Sequence, residues 1–359
     1  MPKILHIGGA NSPHVLGIMG QIRNNTNFKQ VLVSYPTTIR EADKELLKDV
    51  PVYYYPYPKF FTNKCLDVVE DKKLLCFVKD VINKENPDII QGHYLSKCAV
   101  ITSCFIENSG KPGIVNPWSV WDIPSNKYMI KRNSKCVNLC SYVMCNHPKF
   151  LNSLLAFFKQ PKSKNVFAGP PIRLYLYDNH VPDTSVPRLL LARRHYQDLL
   201  MMALPKVMKM FPKLEVTACA TFDRDTEQII KLTKSLGIYN KINFIYETLP
   251  QEQFATIMKQ HNIIRTMAPD QGNSGTTMQA AYSGSVTLVN KTKWDFLQDN
   301  VNVIQCDLTV ESMQDRLIYS IKNLKSLCEK FSKNNKYLKK WDASETWKNL
   351  YAAYCSMLK

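Results

Sequence analysis

No stretch of the chain approaches the roughly 18 consecutive apolar residues that a membrane-crossing helix needs. The first residues, MPKILHIGGANSPHVLG, lack a basic segment followed by an apolar one; they read as a first strand and turn, not as an export signal. There is no C-x-x-C among the 11 cysteines. Cys136, Cys140 and Cys145 cluster without zinc spacing and read as ordinary buried or half-buried thiols. So many cysteines without an export signal fit a reducing compartment, and the cytoplasm is the expected location. No metal and no cofactor is expected. Acidic residues are short, 30 against 47 Lys and Arg, for a net charge of +17. A basic balance attracts polyanions such as nucleic acid, anionic lipid or phosphorylated ligands. No zinc finger, RNA-binding signature or basic zipper is present, so nucleic acid is not an expected partner.

What is present is a globular composition, 45% hydrophobic and 11% aromatic over 359 residues, ample for two domains. Part of the positive charge is gathered in KYMIKRNSK (127–135) and KNLKSLCEKFSKNNKYLKK (322–340). The second run, interleaved with Phe331 and Tyr337, suits an anionic membrane surface, which would place the protein at the membrane periphery; a solvated helix face is the alternative.

Along the chain, short apolar runs alternate with helical stretches. Strands are expected at 3–8, 30–36 and 88–93 and near 137–146, with a short strand followed by a proline-punctuated loop over 50–58 and Ser12 as N-cap of a first helix. The proline-rich region 159–187 reads as a linker. The pattern then restarts with RLLLA (188–192), a helix kinked or broken near Pro205, and strands at IIRTMAP (263–269) and VTLVN (286–290). The last 40 or so residues read as helical. Alternation of this kind argues for parallel sheets covered on both faces.

Between the last two strands lies QGNSGTTMQAAYSGS (271–285). Gly272 and Gly275 let backbone approach a ligand closely, and Ser274, Thr276 and Thr277 add hydroxyls. Unpaired N–H groups at the start of the following helix complete a cradle suited to phosphate or diphosphate.

The segment MAPDQGNSGTTMQAAYSGSVTLV resembles the donor-binding segment of retaining glycosyltransferases of family four, which have the GT-B fold. Gly272, Ala280 and Gly284 keep the family's places, while Gln271 and Gln279 stand where it has two glutamates. LGIYNKINFIYETLPQEQFATIMKQHNII resembles the preceding strand and helix. QGHYLS resembles the family's His-x-His segment and keeps only the second histidine, His93. The glycine pair of HIGGANSPHVLG falls in the first-strand loop, and KKWDASETWKNLYAAY resembles the terminal helix that returns to the first domain.

The resemblance implies an α/β fold of the GT-B kind, two Rossmann-like domains with parallel sheets facing across a cleft. Its parts would be an acceptor domain over 1–170, a donor domain over 186–335 and a terminal helix over 336–359. It implies a metal-independent enzyme moving a sugar, with retention, from a nucleotide diphosphate sugar to a glycan or lipid-linked hydroxyl. Ser274, Gly275, Thr276 and Thr277 would hold the diphosphate and Gln279 the ribose hydroxyls. Gln271, Gly272 and Asn273 would face the transferred sugar, and His93 would meet it from the first domain. Gly9, Ala10 and Asn11 would aim backbone amides at the diphosphate, although Asn11 also reads as a turn residue. Of Arg193 and Arg194, one would take a phosphate; both also read as surface charge. Trp118 and Asp122 would line the acceptor side or pack the domain edge. The Asp-x-Asp at 223–225 precedes a helix and reads as a cap, not a metal site. With both glutamates replaced, a non-catalytic homologue that binds nucleotide or glycan and a GT-B nucleotide-sugar epimerase stay open.

Overall fold

The computed structural model describes residues 1–10, 12–34, 44, 47–55, 66–117, 127–145, 154, 156–159, 165–167, 172–192, 196–219, 224–247, 249–267, 275–291 and 297–359. They form two compact units, one of Met1–Pro171 with Ala343–Lys359, the other of Ile172–Asp342.

The first unit holds seven strands: β1 (Lys3–Ile7), β2 (Lys29–Ser34), β3 (Val52–Tyr54), β4 (Ile89–His93), β5 (Gly113–Asn116), β6 (Tyr142–Cys145) and β7 (Asn165–Phe167). They lie in the order β3-β2-β1-β4-β5-β6-β7, and every pairing is parallel. Successive side chains of a strand face opposite sides, so each apolar strand feeds two cores. Ile4, Ile89, Ile114 and Met144 face Ile18 and Ile22 of the helix Pro13–Asn25, together with Leu350 and Tyr354 of the C-terminal helix Ala343–Met357. Leu5, Ile7, Val31 and Ile90 face Leu74 and Val78 of the helix Leu66–Glu85 and Ile101 and Phe105 of the helix Ser96–Ser109.

The second unit holds β8 (Arg188–Leu191), β9 (Glu215–Cys219), β10 (Ile242–Ile245), β11 (Ile263–Arg265), β12 (Val286–Asn290) and β13 (Ile304–Cys306). Their order is β10-β9-β8-β11-β12-β13, again all parallel. Leu189, Leu191, Val216 and Ile263 pack on Leu200, Leu204 and Val207 of the helix Gln197–Met210. On the other face Leu190 and Ile264 meet Met258 and Ala280.

Three expectations are corrected. Of the kink or break expected near Pro205, the break does not occur: the helix Gln197–Met210 runs through it. Burial of Leu200, Met201, Leu204 and Val207 on both sides of the proline outweighs the roughly 3 kcal/mol that a proline costs inside a helix. The stretch near 137–146 is not one strand: a helix, Lys127–Leu139, supplies its first residues and β6 its last. Cys136 and Val137 are on the buried side of that helix, so its apolar residues follow helical spacing. The region 159–187 is not a plain linker, since it contributes β7 and a 3-10 turn, Leu174–Tyr177, whose Leu174 and Tyr177 are buried. Short buried pieces between prolines carry no periodicity long enough to read.

Candidate functional site

Each sheet has one topological switch point, where chain connections leave neighbouring strands in opposite directions. In open α/β sheets the crevice beyond the carboxyl ends of those strands is where ligands bind. In the second unit it lies between β8 and β11. The helix Gly275–Tyr282 starts there, after β11. Thr277 donates its hydroxyl to Thr266 Oγ1 at 3.0 Å, fastening the helix start to the residue that follows β11. Gly275 and Thr276 are partly exposed, whereas Thr277 and Gln279 are buried. A Cβ on Gly275 would come no nearer than 3.5 Å to Ile172 Cγ1, so packing does not demand glycine there. Gln271, Gly272, Asn273 and Ser274 fall outside the described residues, as do Arg193 and Arg194.

In the first unit the switch point lies between β1 and β4. The turn Gly8–Ala10 follows β1, with the Ala10 amide donating to Ser34 Oγ at 2.9 Å. Ser12 caps the next helix, accepting from the Val15 amide, and its hydroxyl lies 3.0 Å from the Tyr94 phenol oxygen. Gly8 has a steric role: a Cβ there would stand 2.8 Å from Val15 Cγ2 and 3.1 Å from His93 Cβ. Ala10 is buried and Gly9 partly exposed. Asn11, Trp118 and Asp122 fall outside the described residues.

His93 ends β4 with no exposed surface. Its Nε2 lies 3.1 Å from Nδ1 of His6 on β1. Burial pushes the His6 pKa down to about 3. Burial also holds His93 well below the usual histidine value, with further lowering from His6 and His14. Both rings are therefore neutral at pH 7. Beside them Gln91 donates to Asn116 Oδ1 at 3.1 Å and accepts from the Tyr354 phenol of the C-terminal helix. Cys98 Sγ donates to the His93 carbonyl at 2.7 Å.

His6, Gln91 and Tyr354 were not singled out by the sequence reading. A signal exists for two of them: KILHIG and DIIQGH each place a polar side chain inside an apolar strand, on the face of Ile4 and Ile89. Arg265, fully buried at the end of β11, interrupts IIRTMAP in the same way. Among the described residues no group of three or more His, Cys, Asp or Glu could hold a metal ion, and no helix is long and apolar enough to cross a membrane.

Two doubly wound, all-parallel units make this an α/β protein of the GT-B fold, and solved structures agree. A glycosyltransferase from Rickettsia africae ESF-5 superposes with a TM-score of 0.71 at 14% identity, covering 100% of this chain and 99% of that one. Anabaena Alr3699/HepE, solved in complex with UDP, gives 0.75 at 13% identity over 99% of this chain and 100% of its own. The UDP-GlcNAc 2-epimerase of Neisseria meningitidis, bound to UDP-GlcNAc, gives 0.69 at 14% over 99% and 100%. No protein-family model matches the sequence, and no curated protein does. At these identities the likeness establishes the fold.

Proposed function

We propose that the chain is a nucleotide-sugar enzyme, a glycosyltransferase that passes a sugar from a nucleoside diphosphate donor to a glycan or lipid-linked hydroxyl with retention. The observation that carries this reading is the helix Gly275–Tyr282, which opens at the β8/β11 switch point just after the sequence QGNS, in a glycine- and hydroxyl-rich stretch. As the sugar–oxygen bond breaks, the leaving diphosphate gains negative charge. Amides at the helix start, the hydroxyls of Ser274 and Thr276, and Arg193 or Arg194 stabilise that charge and lower the barrier. Departure assisted this way needs neither a metal ion nor a carboxylate nucleophile, so glutamines at 271 and 279 are compatible with turnover. Gln279 takes the ribose hydroxyls, and Gln271, Gly272 and Asn273 the sugar. Gly9, Ala10 and Asn11 approach the diphosphate, and His93 the sugar. Trp118 and Asp122 belong to the acceptor side. The lysine-rich run 322–340, whose Phe331 is buried in the second unit's core, offers its lysines to an anionic membrane surface on the cytoplasmic side or to solvent as a charged helix face.

The likeness to epimerases supports a second reading, in which the donor is converted at a sugar carbon with no acceptor. Calorimetry with UDP, GDP and UDP-N-acetylglucosamine, followed by product analysis, tests both. Release of free nucleoside diphosphate that rises with added glycan acceptor supports transfer; an epimerised, still nucleotide-linked sugar supports the alternative. Absence of binding to all three nucleotides refutes the site itself.

A further inference from the structure

His6 has no part in the reaction proposed above, yet it occupies the centre of the first sheet. It pairs in register with Gln91 on β4, which sets His93 one side-chain step further along the same face. The two rings lie 5.4 Å apart, centroid to centroid, at an interplanar angle of 29°. Besides the 3.1 Å contact between His6 Nδ1 and His93 Nε2, each ring has a second nitrogen, His6 Nε2 and His93 Nδ1, that is buried with no hydrogen-bond partner.

Apolar packing alone does not call for a histidine at this place. Ile4, Ile18, Ile22 and Ile89 form an apolar core on this face; an aliphatic residue at 6 would match its polarity but would strand His93 Nε2, whose unpaired burial is unfavourable. What an imidazole supplies and an aliphatic chain cannot is a directed hydrogen bond to His93, beside a polar interaction with the Gln30 side chain. With both rings neutral, a single proton is shared between the facing nitrogens. The protonation of the two rings is thereby linked: a proton on His6 Nδ1 leaves His93 protonated at Nδ1, and a proton on His93 Nε2 leaves His93 Nδ1 bare, as outer partners do for functional histidines generally.

We propose that His6 is a positioning residue: its hydrogen bond to His93 Nε2 holds that ring in one orientation and one tautomer, so that Nδ1 meets the donor sugar in a fixed protonation state. This rests on the reading of His93 as the sugar-facing group. The ring has no exposed surface in the structure, so contact with a sugar requires it to be uncovered.

Two substitutions separate this role from packing. His6→Asn puts an amide where Nδ1 stands, and His6→Gln puts it where Nε2 stands. Imidazole ¹⁵N spectra of histidine-labelled protein should show His93 as a single neutral tautomer in the wild type and in His6→Asn, and as a mixture in His6→Gln. Turnover of UDP-N-acetylglucosamine should fall roughly tenfold in kcat in His6→Gln, the scale of one lost buried hydrogen bond, with KM little changed and His6→Asn close to wild type. Mixed tautomers in the wild type overturn the proposal without any variant, and so do identical spectra and rates in the two variants. Full activity in His93→Ala removes the sugar-facing reading and the His6 role with it. Impaired His93→Ala beside unimpaired His6→Gln removes the His6 role alone.

Discussion

Tyr354, near the end of the C-terminal helix, donates its phenol proton to Gln91 in the middle of β4. Both residues are fully buried. The bond continues through Gln91 to Asn116 Oδ1 at 3.1 Å, and the Asn116 carbonyl accepts the Tyr94 amide at 2.8 Å. The helix Ala343–Met357 is thus part of the first unit's interior and reaches residues around its switch point. Tyr354→Phe keeps the ring and strands the Gln91 carbonyl. Removing one partner of a buried pair costs about 1–3 kcal/mol, so the urea midpoint of the first unit should fall accordingly. Hydrogen exchange should quicken most at Tyr94. A uniform rise across every amide of the unit would mean that the bond acts on global stability only.

Acid should weaken the first unit before ordinary carboxylates titrate. His6 is pushed down to about 3 by burial, and His93 is lowered too, by burial first and then by His6 and His14. An unfolded histidine titrates near pH 6.5. Below that pH the unfolded chain binds protons that the folded rings refuse, so stability falls as pH drops through the window from about 6.5 toward 3. The slope should reach up to about 1.4 kcal/mol per pH unit for each histidine. His6→Asn should remove one share of that slope between roughly pH 6.5 and 4.5, above the range of model carboxylates. Unfolding curves at pH 7 and pH 5 check this; equal pH dependence in wild type and variant would rule it out.

Much of the fold was legible, and the reason is local. β1, β2, β4, β8, β11 and β12 are largely apolar runs, some broken by a single polar residue such as His6, Gln91 or Arg265, and bounded by glycine or polar turns, close to the pattern of strands covered on both faces. What stayed hidden depended on partners distant in sequence. β7 is three residues long and exists because Val143, Met144 and Cys145 offer it an edge. The Tyr354–Gln91 bond spans 263 positions, and the His6–His93 contact spans 87. No window of sequence contains both ends of either. His93 was legible as a residue of interest, but its complete burial was not, because the covering atoms come from other strands and helices.

Gly275 separates ligand approach from packing. Its added Cβ would meet only Ile172 Cγ1, at ordinary contact distance, and it is absent from the positive-φ glycines. Gly275→Ala should therefore fold, with a gain of up to about 1 kcal/mol from the stiffened unfolded chain. If a diphosphate rests on the helix start, the same methyl group intrudes on it, and UDP affinity should drop roughly tenfold, about 1.4 kcal/mol. Thermal unfolding and calorimetry with UDP read the two effects separately. Unchanged UDP affinity in a stabilised variant would show that nucleotide, if bound, does not approach residue 275.

On the proposed reading, Gln271 faces the transferred sugar and bears on which sugar is carried. Where the family it resembles has a glutamate, this chain has an amide, which offers two N–H donors and one acceptor and bears no charge. A carboxylate at this position would repel a donor sugar that is itself a carboxylate, whereas the amide can bond to it. Turnover of UDP-glucuronic acid should then exceed that of UDP-glucose in the wild type. Gln271→Glu should invert the preference, since two like charges about 4 Å apart near a protein surface repel by up to about 4 kcal/mol. Binding of UDP itself carries no sugar and should change little, which separates a sugar effect from a damaged site. The ratio of the two kcat/KM values decides the matter. A wild type that prefers UDP-glucose, or a ratio unmoved by Gln271→Glu, excludes a uronate-directed role for the amide.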